Sequence, residues 1–593
     1  MSILDMNFFS LIGFKKKPKA IWKKYYHKKD MNIDVPNISI YQYLKESSLL
    51  GGYKNNIAIE YFGTKINYTE FFKEIDRCSK ALRSEGIRKG DVVTILSANI
   101  PEALISIYAL NKIGAVANMI HPLSAENEIK EALQRYSTVM LIAMDITYSK
   151  IKNILEDTEV YKTIIISAKD SMPNLMKIGY QITQGHKVEK PKKSGNFIYW
   201  KDFIKLGDEF NNPKQIPETK RDTPAIILHS GGTSGKPKGI VLSNGNFVAA
   251  SIQARTAYPD LCQDDSILAI MPIFHGLGLS VSITTAFAVG AKVILIPTFK
   301  ASEFYKLLTK HKPTVLVGVP TLFEALTNNE NMANVSLSQL KYVISGGDTL
   351  NKTRVGKINT FLHEHGANTN LMQGYGMTEA VAAVSVDLKY ASRPGTIGIP
   401  WPGTYIKIVK PNTDEELPYG EDGEICICGP TVMLGYYNNE KETNEALHIH
   451  SDGNVWLHSG DIGSMDENGF ITYKQRIKRM IVTSGYNVYP SQIEEVIEQH
   501  PAVIDCSVIG IPHPYKVEVA KAYIALKNGY HDTSKLREEI DELCKKNLAQ
   551  YSIPKEYEFR KSLPKTMIGK VDFRKLQQEN IEKRLEEQYE KKS

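Results

Sequence analysis

Nowhere in these 593 residues do about eighteen apolar residues run together, so no segment reads as a bilayer-spanning helix. Cysteine is scarce. Cys78, Cys262, Cys426, Cys428, Cys506 and Cys544 are scattered, which excludes a disulfide framework and suits a reducing cytoplasm. Cys426 and Cys428 share one face of an expected strand, but no second Cys or His cluster follows at zinc spacing. A secretory signal is missing too: the charge of the first thirty residues follows the apolar stretch instead of preceding it, with no small-residue cleavage site. No internal repeat is evident. The net charge of +7 comes without a nucleic-acid-binding motif, which argues against that class of partner. What remains is an ordinary soluble composition, 42% hydrophobic and 23% charged, in a chain too long for one core.

The charge is unevenly spread. Lys15, Lys16, Lys17, Lys19, Lys23, Lys24, Lys28 and Lys29 crowd the first thirty residues, mixed with Phe8, Phe9, Phe14, Trp22, Tyr25 and Tyr26. Residues 1–34 therefore read as a basic amphipathic leader, expected to make peripheral contact with an anionic membrane surface through residues 1–30. The alternative is a solvated leader partly packed on the protein body.

From about Val35 onward, short β-branched runs alternate with helical patterns, the mark of α/β layers. Strands are expected at Ile57–Tyr61, Val92–Leu96, Val293–Ile296 and Val315–Val317. Thr69 is expected to cap a helix carrying Phe71, Phe72, Ile75 and Leu82, and Pro101 to open another. Residues from about Lys169 to Gly195, rich in Lys, Gly and Pro, read as a surface insertion. Beyond Trp401 the pattern turns strand-rich. Beyond Lys478 a helix, two strands and a further helix predict a small α+β domain, followed by a charged, frayed helix over 577–593.

Four segments carry chemistry. Residues 229–240 read HSGGTSGKPKGI, where Ser230, Gly231, Gly232, Thr233, Ser234, Gly235, Lys236 and Lys238 interleave hydroxyls and cations on a glycine frame. Such a loop can wrap a polyphosphate in backbone N–H groups; a polar surface turn is the plainer alternative. It is no Walker A loop, because Pro237 follows Lys236 where that motif needs Ser or Thr. Gln373-Gly374-Tyr375-Gly376-Met377-Thr378-Glu379 sets an aromatic between glycines, open to a planar base, beside a carboxylate suited to Mg²⁺. His458-Ser459-Gly460-Asp461 with Gln475-Arg476-Ile477-Lys478 supplies an acceptor and a donor for a ribose diol, or a surface ion pair. Pro564-Lys565-Thr566-Met567-Ile568-Gly569-Lys570 ends on a lysine that composition alone leaves as an ordinary solvated one.

Taken together, in this order, these segments resemble the adenylate-forming superfamily of acyl-CoA synthetases, luciferases and peptide-synthetase adenylation domains, over roughly residues 35–576. The branch most similar is the long-chain fatty acid–CoA ligases. The resemblance implies an α/β fold: a large N-terminal domain of two α/β subdomains plus a β-rich subdomain over 35–477, a small mobile C-terminal α+β domain over 478–576, and a tail at 577–593. It implies ATP, Mg²⁺ and coenzyme A as cofactors. Glu379 then holds the metal, Thr378 and the glycine-rich loop the phosphates, and Asp461 and Arg476 the ribose. Lys478 is the hinge, and Lys570 reaches the carboxylate and α-phosphate. Met271-Pro272-Ile273-Phe274-His275-Gly276 resembles the acyl-pocket segment gated at His275, and Ser345-Gly346-Gly347-Asp348 lines the same pocket. Thr483-Ser484-Gly485-Tyr486 resembles the loop opening the CoA channel. Gln475, where the family has Gly or Asp, and Val517, where it has Gly, depart from the pattern. The implied reaction is acyl-AMP and then acyl-CoA formation. No carrier domain follows Lys570, and no Asp to hold an amino group lies in Phe274–Gly276, so a fatty acid is preferred. An acyl-AMP ligase loading a carrier protein, or a non-catalytic nucleotide-binding homologue, is the alternative.

Overall fold

The computed structural model describes residues 15–27, 31–185, 188–189, 191, 196–210, 219–230, 237–348, 350, 352–483, 486–513, 515–565 and 571–590. The chain divides into two units: the larger holds Met1–Ile406, Ile427–Leu457 and Asn468–Phe470, and the smaller holds Lys407–Cys426, His458–Glu467 and Ile471–Ser593.

Two doubly wound sheets form the larger unit. One runs Gly435–Tyr436, Lys238–Ser243, Pro224–Ser230, Val116–Ile120, Val92–Leu96, Thr138–Met144, Lys162–Ile166, Phe197–Tyr199. The other runs Ile399–Pro400, Ser385–Val386, Leu371–Tyr375, Tyr342–Ser345, Val315–Gly318, Ser266–Ala269, Lys292–Leu295, Ile57–Tyr61, Thr64–Asn67. Each contains six parallel strands, five of which, with Pro224–Ser230 and Ile57–Tyr61 set aside, follow the spatial order 2-1-3-4-5 counted along the chain. No repeat is legible in the residues, yet the same winding is used twice, because parallel strands joined by helices permit few hands and orders. Strands such as Val92–Leu96 and Val116–Ile120 are buried at every residue, so they read as apolar runs, not alternating ones.

Local chemistry explains the helices. Pro101 opens Pro101–Ile113 and Gly114, at φ +77°, closes it. That helix is buried on nearly all faces, which its apolar composition requires. The helix expected to start at Thr69 starts earlier, as Tyr68–Ser84. Asn67 caps it, accepting from Glu70 N–H at 2.8 Å while Glu70 returns a bond to Asn67 N–H at 3.0 Å. Thr69 is diverted: its hydroxyl donates to Lys54 O at 3.0 Å.

The smaller unit carries the sheet Tyr486–Val488, Ile481–Thr483, Val517–Leu526, Val503–His513, with Glu556–Arg560 added parallel to Val517–Leu526. Helices Pro490–Ile497 and Ser534–Asn547 cover it with Ile493, Ile497, Leu536 and Ile540. The terminal helix is not a frayed appendage. It runs Phe573–Glu590, buries Leu576 and Asn580, and Asn580 Oδ1 accepts from Lys521 Nζ at 3.1 Å.

Part of the leader is also packed. Trp22 is 1% exposed and stands edge-on to Tyr405 at 6.4 Å, and the Tyr26 hydroxyl donates to Pro400 O at 3.2 Å. Gly469, at φ +91°, is needed there because a Cβ would lie 2.8 Å from Trp22. Residues 1–14 lie outside the described residues. Trp22→Ala is expected to remove about 3–5 kcal/mol of this local packing and to speed tryptic cleavage at Lys23 and Lys24. Unchanged cleavage kinetics would show that the leader is not held by this ring.

Candidate functional site

The chemistry-bearing segments of the larger unit all leave the carboxyl ends of parallel strands. Met271–Gly276 follows Ser266–Ala269, Gly346-Gly347 follows Tyr342–Ser345, and Gly376–Glu379 follows Leu371–Tyr375. The loop after Pro224–Ser230 begins at the carboxyl end of a strand parallel to Val116–Ile120. The strand order of the second sheet reverses between Ser266–Ala269 and Val315–Gly318, where open α/β sheets leave a crevice for ligands.

A residue that the sequence reading missed joins the two sheets at this edge. Asn99, 3% exposed, lies just past strand Val92–Leu96. Its Nδ2 donates to Ala269 O and Met271 O, both at 3.0 Å, and its Oδ1 accepts from Ile273 N–H at 3.0 Å. One amide thus fixes the turn that carries His275. His121, past strand Val116–Ile120, adds a ring contact to Phe274 at 4.4 Å. An Asn after a buried strand is the signal in the residues, but it is common enough to pass unnoticed.

The segment that carries His275 meets the turn after Glu379 through backbone. A Cβ on Gly276 would lie 1.9 Å from Val381 O, and one on Gly376 would lie 1.5 Å from Ala382 O. Thr378–Ala380 is a 3₁₀ turn, after which Ala382 N–H donates to Ala380 O at 2.8 Å. That bond closes a γ-turn centred on Val381, at φ 66° and ψ −57°, a strained conformation for a β-branched residue. Gly346 lies against Gly374 O, 3.4 Å from an added Cβ, and Gly347 takes φ +82°. Gln373 is buried, its N–H donating to Asp387 Oδ2 at 3.2 Å, and burial pushes Asp387 up to about 6. Tyr375 is 8% exposed, so its flanking glycines do not lay the ring open.

Glu379 is buried, and its Oε1 accepts from the Tyr436 hydroxyl at 3.0 Å. Lys238 sits 4.8 Å above the Tyr436 ring and pairs with Glu442 at 3.0 Å. Strand Gly435–Tyr436 pairs antiparallel with Lys238–Ser243, and Met433 N–H donates to Glu379 O at 2.7 Å. The stretch 433–437, to which no chemistry was assigned from sequence, therefore links the exit of the glycine-rich loop to the carboxylate. Gly239 is needed for space, not for an unusual φ: a Cβ would lie 2.4 Å from the Tyr136 ring. Gly231, Gly232, Thr233, Ser234, Gly235 and Lys236 lie outside the described residues; Ser230 ends its strand, partly buried, paired with Lys238.

A polar chain ending at His229, in the strand that precedes that loop in sequence, crosses four strands. Thr138 and Thr94 hydroxyls meet at 2.7 Å, Asn118 Nδ2 donates to Thr94 Oγ1 at 2.9 Å, and Asn118 Oδ1 meets His229 Nε2 at 2.7 Å. Because Asn118 already donates, its oxygen accepts, which places the proton on Nε2 of His229. Burial, helped by Arg135, lowers His229 to about 4, so the imidazole is neutral at pH 7. Arg135 also donates to Pro237 O at 2.9 Å.

In the smaller unit Asp461 and Arg476 face each other across antiparallel strands Val455–Met465 and Ile471–Arg476. Arg476 Nε lies 3.0 Å from Asp461 Oδ1 and its Nη1 donates to Ser459 O at 3.0 Å. Glu424 clamps this turn, accepting from Gly460 N–H and bonding His458 Nδ1, both at 2.9 Å. Lys478 occupies the 3₁₀ turn Ile477–Arg479, between strands Ile471–Arg476 and Ile481–Thr483. Ser484, Gly485 and Lys570 lie outside the described residues, and of Tyr486 only the backbone strand is described.

Comparison with known proteins gives the family. The AMP-binding enzyme family covers residues 50–437 and its C-terminal domain covers residues 492–570. The chain belongs to the AMP-binding enzyme family. A long-chain-fatty-acid–CoA ligase of Bacillus subtilis is 32% identical over 93% of this chain and 96% of its own length. A protein of the same name from Haemophilus influenzae is 31% identical over 86% and 91%. The ATP-bound crystal structure of MatB from Rhodopseudomonas palustris superposes with a TM-score of 0.78 over 91% of this chain and 98% of that one, at 24% identity, which shows the fold. This family member is an acid–thiol ligase, and its cofactors are ATP, Mg²⁺ and coenzyme A.

Asn99→Leu keeps the volume but leaves Ala269 O, Met271 O and Ile273 N–H without that partner, at about 1–3 kcal/mol each. Expected is a fall of at least about tenfold in kcat/KM for the acid with the KM for ATP little changed; an equal rise in both KM values would show only general loosening. For His229, the fold favours the neutral ring. Between pH 6.5 and about 4 the unfolded chain takes up a proton that the folded one refuses, so stability falls as pH drops through that window. His229→Gln is expected to flatten that part of a urea-unfolding series against pH, and an unchanged slope would assign it to other groups.

Proposed function

We propose that this ligase activates a medium- or long-chain fatty acid, and that CoA is the acceptor. What carries the reading is the match to long-chain-fatty-acid–CoA ligases across nearly the whole length of both chains. The absence of an Asp in Phe274–Gly276 supports a substrate without an amino group to hold.

The resemblance to the family suggests a role for each residue. A carboxylate oxygen attacks the α-phosphorus of ATP, the bond to the bridging oxygen breaks, and pyrophosphate leaves with its electron pair. Two anions must approach, so cations and N–H donors supply most of the catalysis. In this proposal Ser230, the glycine-rich loop with Lys236, and Lys238 hold the β- and γ-phosphates. Thr378 binds phosphate, and Tyr375 with Gly374 and Gly376 adjoins the adenine. The Glu379 carboxylate fits Mg²⁺: it is a hard oxygen donor, buried and oriented by Tyr436, and the ion bound there would neutralise phosphate charge. Asp461 and Arg476 bind the ribose hydroxyls. Lys570 bridges the attacking carboxylate and the α-phosphate. His275, Gly346 and Gly347 border the acyl chain. In the second half-reaction the CoA sulfur attacks the acyl carbonyl and AMP departs, with Lys478 as the pivot and Ser484, Gly485 and Tyr486 along the thiol's path.

The reading places the enzyme in the cytoplasm, with peripheral membrane contact through the leader. Lys15, Lys16, Lys17, Lys19, Lys23 and Lys24, all exposed, support this charge-based contact.

A panel of carboxylic acids scored for CoA-dependent AMP release tests the substrate class: chains of medium or greater length should turn over best. Preference for aryl acids, or an acyl carrier protein in place of CoA, would overturn it. Lys570→Ala is expected to cut acyl-adenylate formation at least about hundredfold while largely sparing CoA transfer from supplied acyl-adenylate. Equal loss of both half-reactions would refute the division of roles.

A further inference from the structure

The insertion after strand Lys162–Ile166 carries an apolar face with no role in the site. Its helix, Asn174–Tyr180, continues into a π-turn at Gln181–Gly185. Leu175 is 82% exposed, Ile178 60% and Ile182 70%, with Met176 beside them at 41%. Positions i, i+3 and i+7 lie on one side of a helix, so these are a stripe and not scattered surface residues. Four large apolar side chains exposed within eight residues form a contiguous patch.

The opposite side anchors the insertion. Met172 is buried, Lys169 Nζ donates to Gln181 Oε1 at 3.1 Å, and the Tyr61 hydroxyl donates to Ala168 O at 2.8 Å. Ser171 Oγ donates to Glu102 Oε1 at 2.5 Å, at the start of the helix that follows Asn99. The stripe is therefore tied to the strand-to-helix turn that fixes the His275 segment. Charge gives its partner. Between 169 and 193 the sequence places Lys169, Lys177, Lys187, Lys190, Lys192 and Lys193 against only Asp170 and Glu189. Both acids are spent internally: Glu189 pairs with Lys152 at 2.8 Å, and Asp170 Oδ2 accepts from Ser167 N–H at 2.8 Å.

We propose that Leu175, Met176, Ile178 and Ile182 dip into the headgroup–acyl boundary of an anionic bilayer, to which the lysine excess of the 169–193 sequence draws the insertion. Among the described leader residues Trp22 and Tyr26 are buried while Lys15, Lys16, Lys17, Lys19, Lys23 and Lys24 are exposed; the insertion adds an exposed apolar contact. The proposal is independent of which acid is activated.

Flotation of the full chain, without substrate, on phosphatidylcholine vesicles with and without phosphatidylglycerol tests it. Binding is expected only with phosphatidylglycerol and to weaken in high salt. Leu175→Ser, Ile178→Ser and Ile182→Ser combined are expected to weaken it at least about tenfold, with the thermal midpoint and the turnover of a water-soluble short-chain acid unchanged. Three results would overturn it: equal flotation of the triple variant, equal binding to neutral vesicles, or a self-associated wild type that the triple variant dissolves in gel filtration.

Discussion

Three hydrogen bonds from one buried side chain tie the larger unit's two sheets together where ligands would bind. Parallel strands joined by helices send every strand-to-helix turn to the same edge, so each sheet presents its loops on one side only. Two such edges still have to be set in register. Asn99 does this by satisfying two carbonyls and one N–H of the turn after Ser266–Ala269, groups that burial would otherwise leave unpaired. Its neighbour Glu102 ties the surface insertion to the same turn. The acid side of the site thus depends on a residue that touches no substrate in the proposed reaction.

The nucleotide side is built by a different device. The stretch around Tyr436 pairs with the strand leaving the glycine-rich loop, orients Glu379 by its hydroxyl and lies under the Lys238 ammonium. Charge, aromatic ring and carboxylate are linked in series, which holds groups of opposite sign in place. The strained γ-turn at Val381 belongs to this arrangement. It turns the chain directly after Glu379, and the glycine at 276 admits its carbonyl at a distance no other residue allows. The neutral His229, bonded through Asn118 into the centre of the sheet, keeps an additional charge away from the loop's foundation.

In the smaller unit the Asp461–Arg476 pair, proposed to bind ribose, is set by strand register. Asp461 and Arg476 are directly opposed, and Glu424 fixes Gly460 beside them. A one-residue slip would turn the two side chains to opposite faces. Lys478 follows at once, in a turn between strands of different sheets. The terminal helix packs on this unit through buried Leu576 and Asn580, the latter accepting from Lys521.

Much of this was legible beforehand. The alternation of apolar runs, Pro101 at a helix start, and four polar motifs in an order resembling a known family sufficed for the fold class, because these rest on local backbone preference and short spacing; that Asp461 and Arg476 pair with each other is set by strand register. Contacts distant in sequence were not. Asn67 instead of Thr69 caps a helix because Lys54 captures the Thr69 hydroxyl. Gly239 is demanded by Tyr136, about a hundred residues away, and the ring of Tyr375 is buried by packing that its own neighbours do not encode. Trp22 and Tyr26, read as membrane-facing, are buried against Tyr405 and Pro400, whereas Leu175, Ile178 and Ile182 stay outside. Sequence alone determined which groups exist and the short-range frame that carries them. Which of them meet, which are buried and which face water was decided by tertiary structure, since hydrophobic burial is non-directional and is apportioned only when distant segments pack.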